Sequence, residues 1–236
     1  FEIVLHLVPC GILHKRLNII GSGVAVEPRQ LLTEIAMLRK AGVVVGSDKF
    51  RISLNAKLVL PQHVVLDRVR EAASKRGKIG TTGRGMGPVA EDHTGRRGLI
   101  MNDLLNPAVF RAKLVKNLEH HVRVLRTYDS VTLREVMHHP FLGGGVFYDP
   151  EEIFDVEAIV EYYLRYGEEL RPFIADTDAI LAASYGKKRI LLEGAQGNML
   201  SVDFGTYPFV TSTDCSVQGI LKGAGLLERH RIDLVF

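Results

Sequence analysis

Apolar positions along the chain fall into short runs and helical stripes that take turns. Residues 1–8 read as an opening strand, closed by a turn at Pro9 and Gly11. A second apolar run, residues 17–20, ends at Gly21-Ser22-Gly23. Pro28 suits a first helical position and Gly42 a C-terminal cap, and Leu31, Ile35 and Leu38 share one face between them. Residues 43–45, 52–54 and 57–60 are strand candidates. A second helix is expected over residues 61–77, with Val65, Val69 and Ala72 on its stripe. Six glycines from Gly80 to Gly98 interrupt any period, so residues 79–98 read as loop. Asn106-Pro107 opens a third helix carrying Phe110, Leu114, Leu118, Val122 and Leu125. Thr132 with Glu135 has the spacing of a capping box, and residues 140–145 form a turn. A helical stretch then runs from Asp149-Pro150 to about Tyr185, with Pro172 as its candidate break. Residues 189–192 read as a short buried strand.

This alternation predicts an α/β fold, a mixed central β-sheet flanked by helices. Residues 100–186 form a helix-rich lobe beside the sheet, and residues 1–236 are expected to be part of a single domain. The chain opens and closes in apolar strand patterns without polar tails, so it is expected to be an internal piece truncated at both ends. An exposed sheet edge or apolar patch should follow from that.

Composition narrows the function classes. The 236 residues carry a net charge of +3, which points to neither nucleic acid nor a membrane surface as partner. No run of eighteen apolar residues and no signal-peptide pattern occurs, and Cys10 and Cys215 stand apart without a CxxC. A reducing, cytoplasmic location is the expectation.

Three glycine-bearing segments are candidates for chemistry. In Gly80-Thr-Thr-Gly-Arg-Gly-Met-Gly87, glycines free backbone amides to face an anion, Thr81 and Thr82 add hydroxyls and Arg84 adds charge. A surface loop with tight turns is the alternative. The P-loop pattern GxxxxGK[ST] is absent. In Asp92-His-Thr-Gly-Arg-Arg-Gly98, the paired arginines suit a phosphate or carboxylate, and Asp92 with His93 suits acid/base work; a solvated basic turn is the alternative. Glu193-Gly-Ala-Gln-Gly197 follows a strand pattern, where α/β sheets collect ligands, and Gln196 offers both a donor and an acceptor. Thr211-Ser-Thr213 is a hydroxyl cluster beyond it, and a plain strand-to-loop cap is the alternative. The neighbours His120-His121 and His138-His139 diverge in any regular element, which disfavours a shared metal. Gly21-Ser22-Gly23 lacks the third glycine of a dinucleotide fingerprint, because position 26 is Val.

Taken together, the segments resemble the adenylosuccinate synthetase family. The likeness is carried by Leu5-His-Leu-Val-Pro9 with Gly11-Ile-Leu13, by Ile19-Ile-Gly-Ser-Gly23, and by Ile79-Gly-Thr-Thr-Gly-Arg-Gly85 with Gly87-Pro88. It continues with Glu91-Asp92, Arg96-Arg-Gly98, Glu193-Gly-Ala-Gln-Gly197 and the segment from Asp203 to Ser212. The resemblance implies a P-loop-NTPase-like fold and a ligase that joins inosine monophosphate (IMP) to L-aspartate in AMP biosynthesis, using GTP and Mg2+. It assigns IMP contacts to Thr82, Gln196 and Thr211, and to Arg96, which reaches into the site of the partner in a homodimer. It places no catalytic residue and no metal ligand within this chain: the catalytic aspartate and histidine and the GTP phosphate loop belong before Phe1, the aspartate-binding and guanine-recognition segments after Phe236. The isolated chain is therefore expected to be inactive.

Three positions depart from the family pattern: His93 replaces a usual lysine, Ala90 a tyrosine and Ser201 an acidic residue. A non-catalytic nucleotide-binding or dimerisation module is the alternative reading. A kinase-like phosphotransferase is weakened by the missing P-loop.

Overall fold

The computed structural model describes residues 3–14, 16–74, 77–137, 149 and 151–226. In chain order its strands and α-helices are β1 (Asn18–Ile20), β2 (Ala25–Val26), α1 (Pro28–Lys40), β3 (Phe50–Ser53), β4 (Lys57–Leu58), α2 (Pro61–Ala73), α3 (Met86–Thr94), α4 (Pro107–Leu125), α5 (Ser130–Met137), α6 (Val156–Leu170), β5 (Ile174–Ala175), α7 (Thr177–Ser184) and α8 (Val217–Gly223). β1, β3 and β5 form one parallel sheet in that order, with Ile20 opposite Ile52 and Ile52 opposite Ile174. β2 and β4 pair in parallel beside it, and an isolated antiparallel bridge joins Lys57 to Ile100. Parallel neighbours require a crossover, which α1 provides between β1 and β3.

Local chemistry sets the helix ends. Glu27 caps α1 by accepting from the amides of Arg29 (3.1 Å) and Gln30 (2.7 Å), ahead of Pro28. Asn106, Asp155 and Asp176 cap α4, α6 and α7 in the same way. At α5 the cap is Asp129, which takes the amide (2.9 Å) and the hydroxyl (2.8 Å) of Thr132, so the expected Thr132–Glu135 box is replaced one turn earlier. The α1 stripe of Leu31, Ile35 and Leu38 is buried against a core that also holds Phe50, Ile52, Phe110, Leu114 and Phe173. The Phe50 and Phe173 rings lie 5.6 Å apart, and the Tyr163 hydroxyl donates to the Val59 carbonyl at 3.1 Å inside that core.

Several expectations are corrected. Residues 3–8 form no strand. Their amides turn instead onto the buried carboxylate of Glu34 in α1, which accepts from His6 (3.1 Å), Leu7 (3.0 Å) and Val8 (3.0 Å). Residues 43–45 are also irregular, since Val44 faces solvent while Val45 is buried. Residues 189–192 are no buried strand: Leu191 is 81% exposed. The stretch 79–98 is not all loop, because α3 occupies its middle. The strand β5 hides in a stretch that reads as helical; the Ile52 amide donates to the Phe173 carbonyl at 2.9 Å and the Leu54 amide to that of Ala175 at 3.0 Å. The second helix ends at Ala73 rather than Gly77. The turn expected at 140–145, the His138-His139 pair and the closing pattern at 232–236 lie outside the described residues. Exposed apolar side chains gather at Met199, Phe204, Tyr207 and Phe209. Among the described residues no helix is long and apolar enough to cross a membrane.

Candidate functional site

The glycine-rich loop before α3 is held by one face of α2. Glu71 accepts from the amides of Ile79 (3.1 Å) and Gly80 (3.2 Å), Arg68 Nε donates to the Gly83 carbonyl (3.2 Å), and buried Asp67 accepts from the Gly85 amide (2.8 Å). The Gly83 amide meets Thr81 Oγ1 at 3.4 Å. Within Gly80–Gly87 the α2 carboxylates thus take the amides of Gly80 and Gly85. What faces outward is the side chain of Thr82 and the start of α3. Gly85, at φ 81°, begins that helix; a Cβ there would sit 2.9 Å from the backbone of His63, so only glycine lets the loop lie on α2. Gly85 has no side chain with which to cap α3, and Asp67 takes the Gly85 amide, so the first helical turn beyond it keeps partial positive charge for an external anion.

Across from that helix start lies the hydroxyl cluster. A Cβ on Gly87 would come within 3.3 Å of Ser212 Oγ. Thr211 is fixed by its amide, which donates to the Leu200 carbonyl at 2.8 Å. Thr82, Gln196, Thr211 and Ser212 all line one cavity of about 2480 Å³. Arg96 lies outside its wall, exposed, on a turn with φ 58°. Three of the four residues singled out from the sequence therefore line one large hollow and the fourth does not.

Lys57, His93 and Lys222 also line the cavity. Lys57 Nζ donates to the Gly23 carbonyl at 3.0 Å, and the Gly23 amide donates to the Gly223 carbonyl at 2.8 Å, next to Lys222. Burial, then the charges of Lys57 and Lys222, push the His93 imidazole below its ordinary pKa. Gly21-Ser22-Gly23 turns out to be a joint between backbones: a Cβ on Gly23 would lie 2.6 Å from Gly223 Cα. Ala90 lines the cavity as well, whereas Ser201 is buried, its hydroxyl 3.3 Å from Asp214.

Asp92 and His93 do not form an acid/base pair. His93 faces the cavity, while Asp92 is buried at the centre of a polar cluster whose members are far apart in the chain. Its Oδ2 accepts from His63 Nε2 (2.9 Å), His121 Nε2 (2.9 Å) and Asn117 Nδ2 (2.5 Å), and its Oδ1 accepts from Arg97 Nε (2.6 Å). Burial alone would raise the Asp92 pKa; the bonds from His121 and His63 outweigh it and hold the carboxyl well below the usual range. Burial lowers the pKa of His63, with Asp92 only partly offsetting it. The donors come from α2 and α4 and from the turn after α3, spaced too far apart in the chain to read as a motif.

His63, Asp92 and His121 are close enough to hold an ion between them. The hydrogen bonds argue otherwise. His63 Nδ1 accepts from the Leu60 amide at 3.0 Å, so its proton sits on Nε2, the atom an ion would need. With Arg97 on the other oxygen, the cluster is an Arg97–Asp92 ion pair with three further hydrogen bonds on the carboxylate. It does not fit Mg2+ either, which prefers an octahedron of oxygens.

Parallel strands joined by helices, with a glycine-rich loop leading into an uncapped helix start at a cavity, define an α/β protein with a fold of the P-loop type. The adenylosuccinate synthetase family model matches residues 1–236. The chain is 44% identical over 224 residues to an adenylosuccinate synthetase of Azotobacter vinelandii, covering 94% of this chain and 47% of the relative. It is 41% identical over 231 residues to that of Chlorobium chlorochromatii, covering 97% and 48%. The solved structure of fully ligated adenylosuccinate synthetase from Plasmodium falciparum superposes with a TM-score of 0.77 at 26% identity, over 95% of this chain and 47% of that one. The chain belongs to the adenylosuccinate synthetase family, and it spans about half the length of the relatives it matches.

Proposed function

We propose that the chain forms the IMP site of a GTP-dependent ligase that makes adenylosuccinate from IMP and L-aspartate. The observation that carries this is the meeting of Thr82, Thr211 and the uncapped α3 start at one cavity, with Gln196 on the same wall. The 5′-phosphate sits at the α3 N-terminus, where Thr82 and Thr211 hydroxyls donate to it and the helix charge favours it. The Gln196 amide matches the donor and acceptor on the purine's six-membered edge. In this reading the GTP γ-phosphoryl goes to the purine 6-oxygen, and the aspartate amine then displaces it as phosphate. GTP and Mg2+ are required, and the His63–Asp92–His121 group does not supply their ligands. The protein acts as a cytoplasmic homodimer in which Arg96, exposed and outside its own cavity, serves the partner's site.

Each phosphate contact contributes about 1–3 kcal/mol, so Thr82→Ala or Thr211→Ala in the complete polypeptide is expected to raise the KM for IMP about 5- to 150-fold. A coupled assay of adenylosuccinate formation measures this. An unchanged KM in both variants overturns the assignment. IMP binding without any GTP-dependent product would favour the non-catalytic module instead.

A further inference from the structure

Two adjacent arginines, Arg96 and Arg97, follow α3, and the structure treats them differently. The Arg97 guanidinium turns inward, its Nε on Asp92 Oδ1 at 2.6 Å. The Asp92 carbonyl also accepts from the amides of Arg97 (3.0 Å) and Gly98 (3.1 Å), so one residue holds both the side chain and the backbone of the turn. Asn117 adds a third hold, its Nδ2 donating both to the Arg97 carbonyl at 3.0 Å and to the Asp92 carboxylate at 2.5 Å. Arg96, in between, takes φ 58°, with its amide on the His93 carbonyl at 3.1 Å. A non-glycine residue adopts that conformation only where its surroundings impose it. Here the imposed shape puts Arg96 in solvent.

We propose that Asp92 is a positioning residue that sorts the two arginines, binding Arg97 so that Arg96 is presented outward to the site of a second copy. This rests on the reading of Arg96 as a residue that acts across a homodimer, and it adds what that reading lacks, the element that aims it. His63, His121 and Asn117 fix the Asp92 carboxylate from behind, so the aim of a surface residue is set by a group that is itself 1% exposed. Asp92 also lies on the helix whose first turn faces the cavity, so an effect on its own subunit's site is the competing outcome.

Mixed dimers of the complete polypeptide separate the two. Alone, Asp92→Asn is expected to raise the KM for IMP about tenfold or more, as Arg96→Ala does, because a charge-assisted contact is lost. Mixed with Thr82→Ala subunits, it is expected to recover activity. Each mixed dimer then has one site with an intact Thr82 from one subunit and a well-aimed Arg96 from the other, or about a quarter of wild-type activity after random exchange. A residue needed only for folding, or only for its own subunit's site, gives no recovery. Arg96→Ala mixed with Thr82→Ala is the control. If that pair recovers and the Asp92 pair does not, the sorting role is wrong and the cross-subunit reading stands; if neither recovers, both are wrong. Should Asp92→Asn fail to fold, Arg97→Met takes its place. That side chain is 34% exposed and its loss leaves the His63, His121 and Asn117 hydrogen bonds on Asp92, and absence of recovery there overturns the proposal equally.

Discussion

Acidification should unfold this protein from the inside, starting at His63. Its imidazole is fully enclosed, and burial holds its pKa below the ordinary 6.5. The unfolded chain therefore binds a proton near pH 6.5 that the folded chain refuses. A depressed imidazole pKa stabilises the fold above the unfolded value, and that stability is lost as pH falls through and below it. For one such group the loss is at most about 1.4 kcal/mol between pH 7.5 and 5.5, and it ends once the pH has fallen through the folded imidazole's own pKa. His93 and His120 shift in the same direction but add less, since water reaches them. Asp92 brings a second stage. Its carboxyl is held below the usual range, so the stability it contributes is present above the unfolded value and fades only below about pH 4. Urea unfolding followed by circular dichroism at a series of pH values measures the slope. Nitrogen NMR of the imidazoles reads the state directly, with His63 neutral and protonated on Nε2 at pH 7 and taking a second proton only below the ordinary imidazole value. An imidazole at position 63 that titrates near 6.5, or carries its proton on Nδ1, refutes the reasoning.

Two further outcomes follow from the joints of the fold. Glu34→Ala strips the acceptor from three consecutive amides, of which that of Val8 is buried, and is expected to cost about 3–5 kcal/mol in urea unfolding, with faster hydrogen exchange at Leu7 and Val8; a loss below about 1 kcal/mol counts against the account. Gly23→Ala forces the Gly23–Gly223 backbones apart and breaks the 2.8 Å bond between them, costing about 2–4 kcal/mol, and a crystal structure of the variant with that bond intact would contradict it.

Local signals account for most of what the sequence made legible. Pro28 and Gly42 frame α1 because one fits a first turn and the other, at φ 82°, a left-handed stop. The α4 stripe from Phe110 to Leu125 is buried as its spacing implies. Failures came where a distant group decided the outcome. Residues 3–8 have a strand's composition but give their amides to Glu34, about thirty positions away. β5 is two residues long, too short to show a period, and exists because β3 lies beside it. At the cavity, Thr82, Gln196 and Thr211 were readable as donors in glycine-bearing segments. The Asp92 cluster was not, because His63 and His121 fall on buried helix faces where any side chain of that size is unremarkable in sequence.

The carboxylates of Asp67 and Glu71 have one more consequence. They fix the shape of the glycine-rich loop before any ligand arrives. If the loop binds a phosphate as proposed, the group has little chain to immobilise, so capture loses less conformational entropy than it would on a slack loop, and speed of association is governed by diffusion into the hollow rather than by folding around the guest.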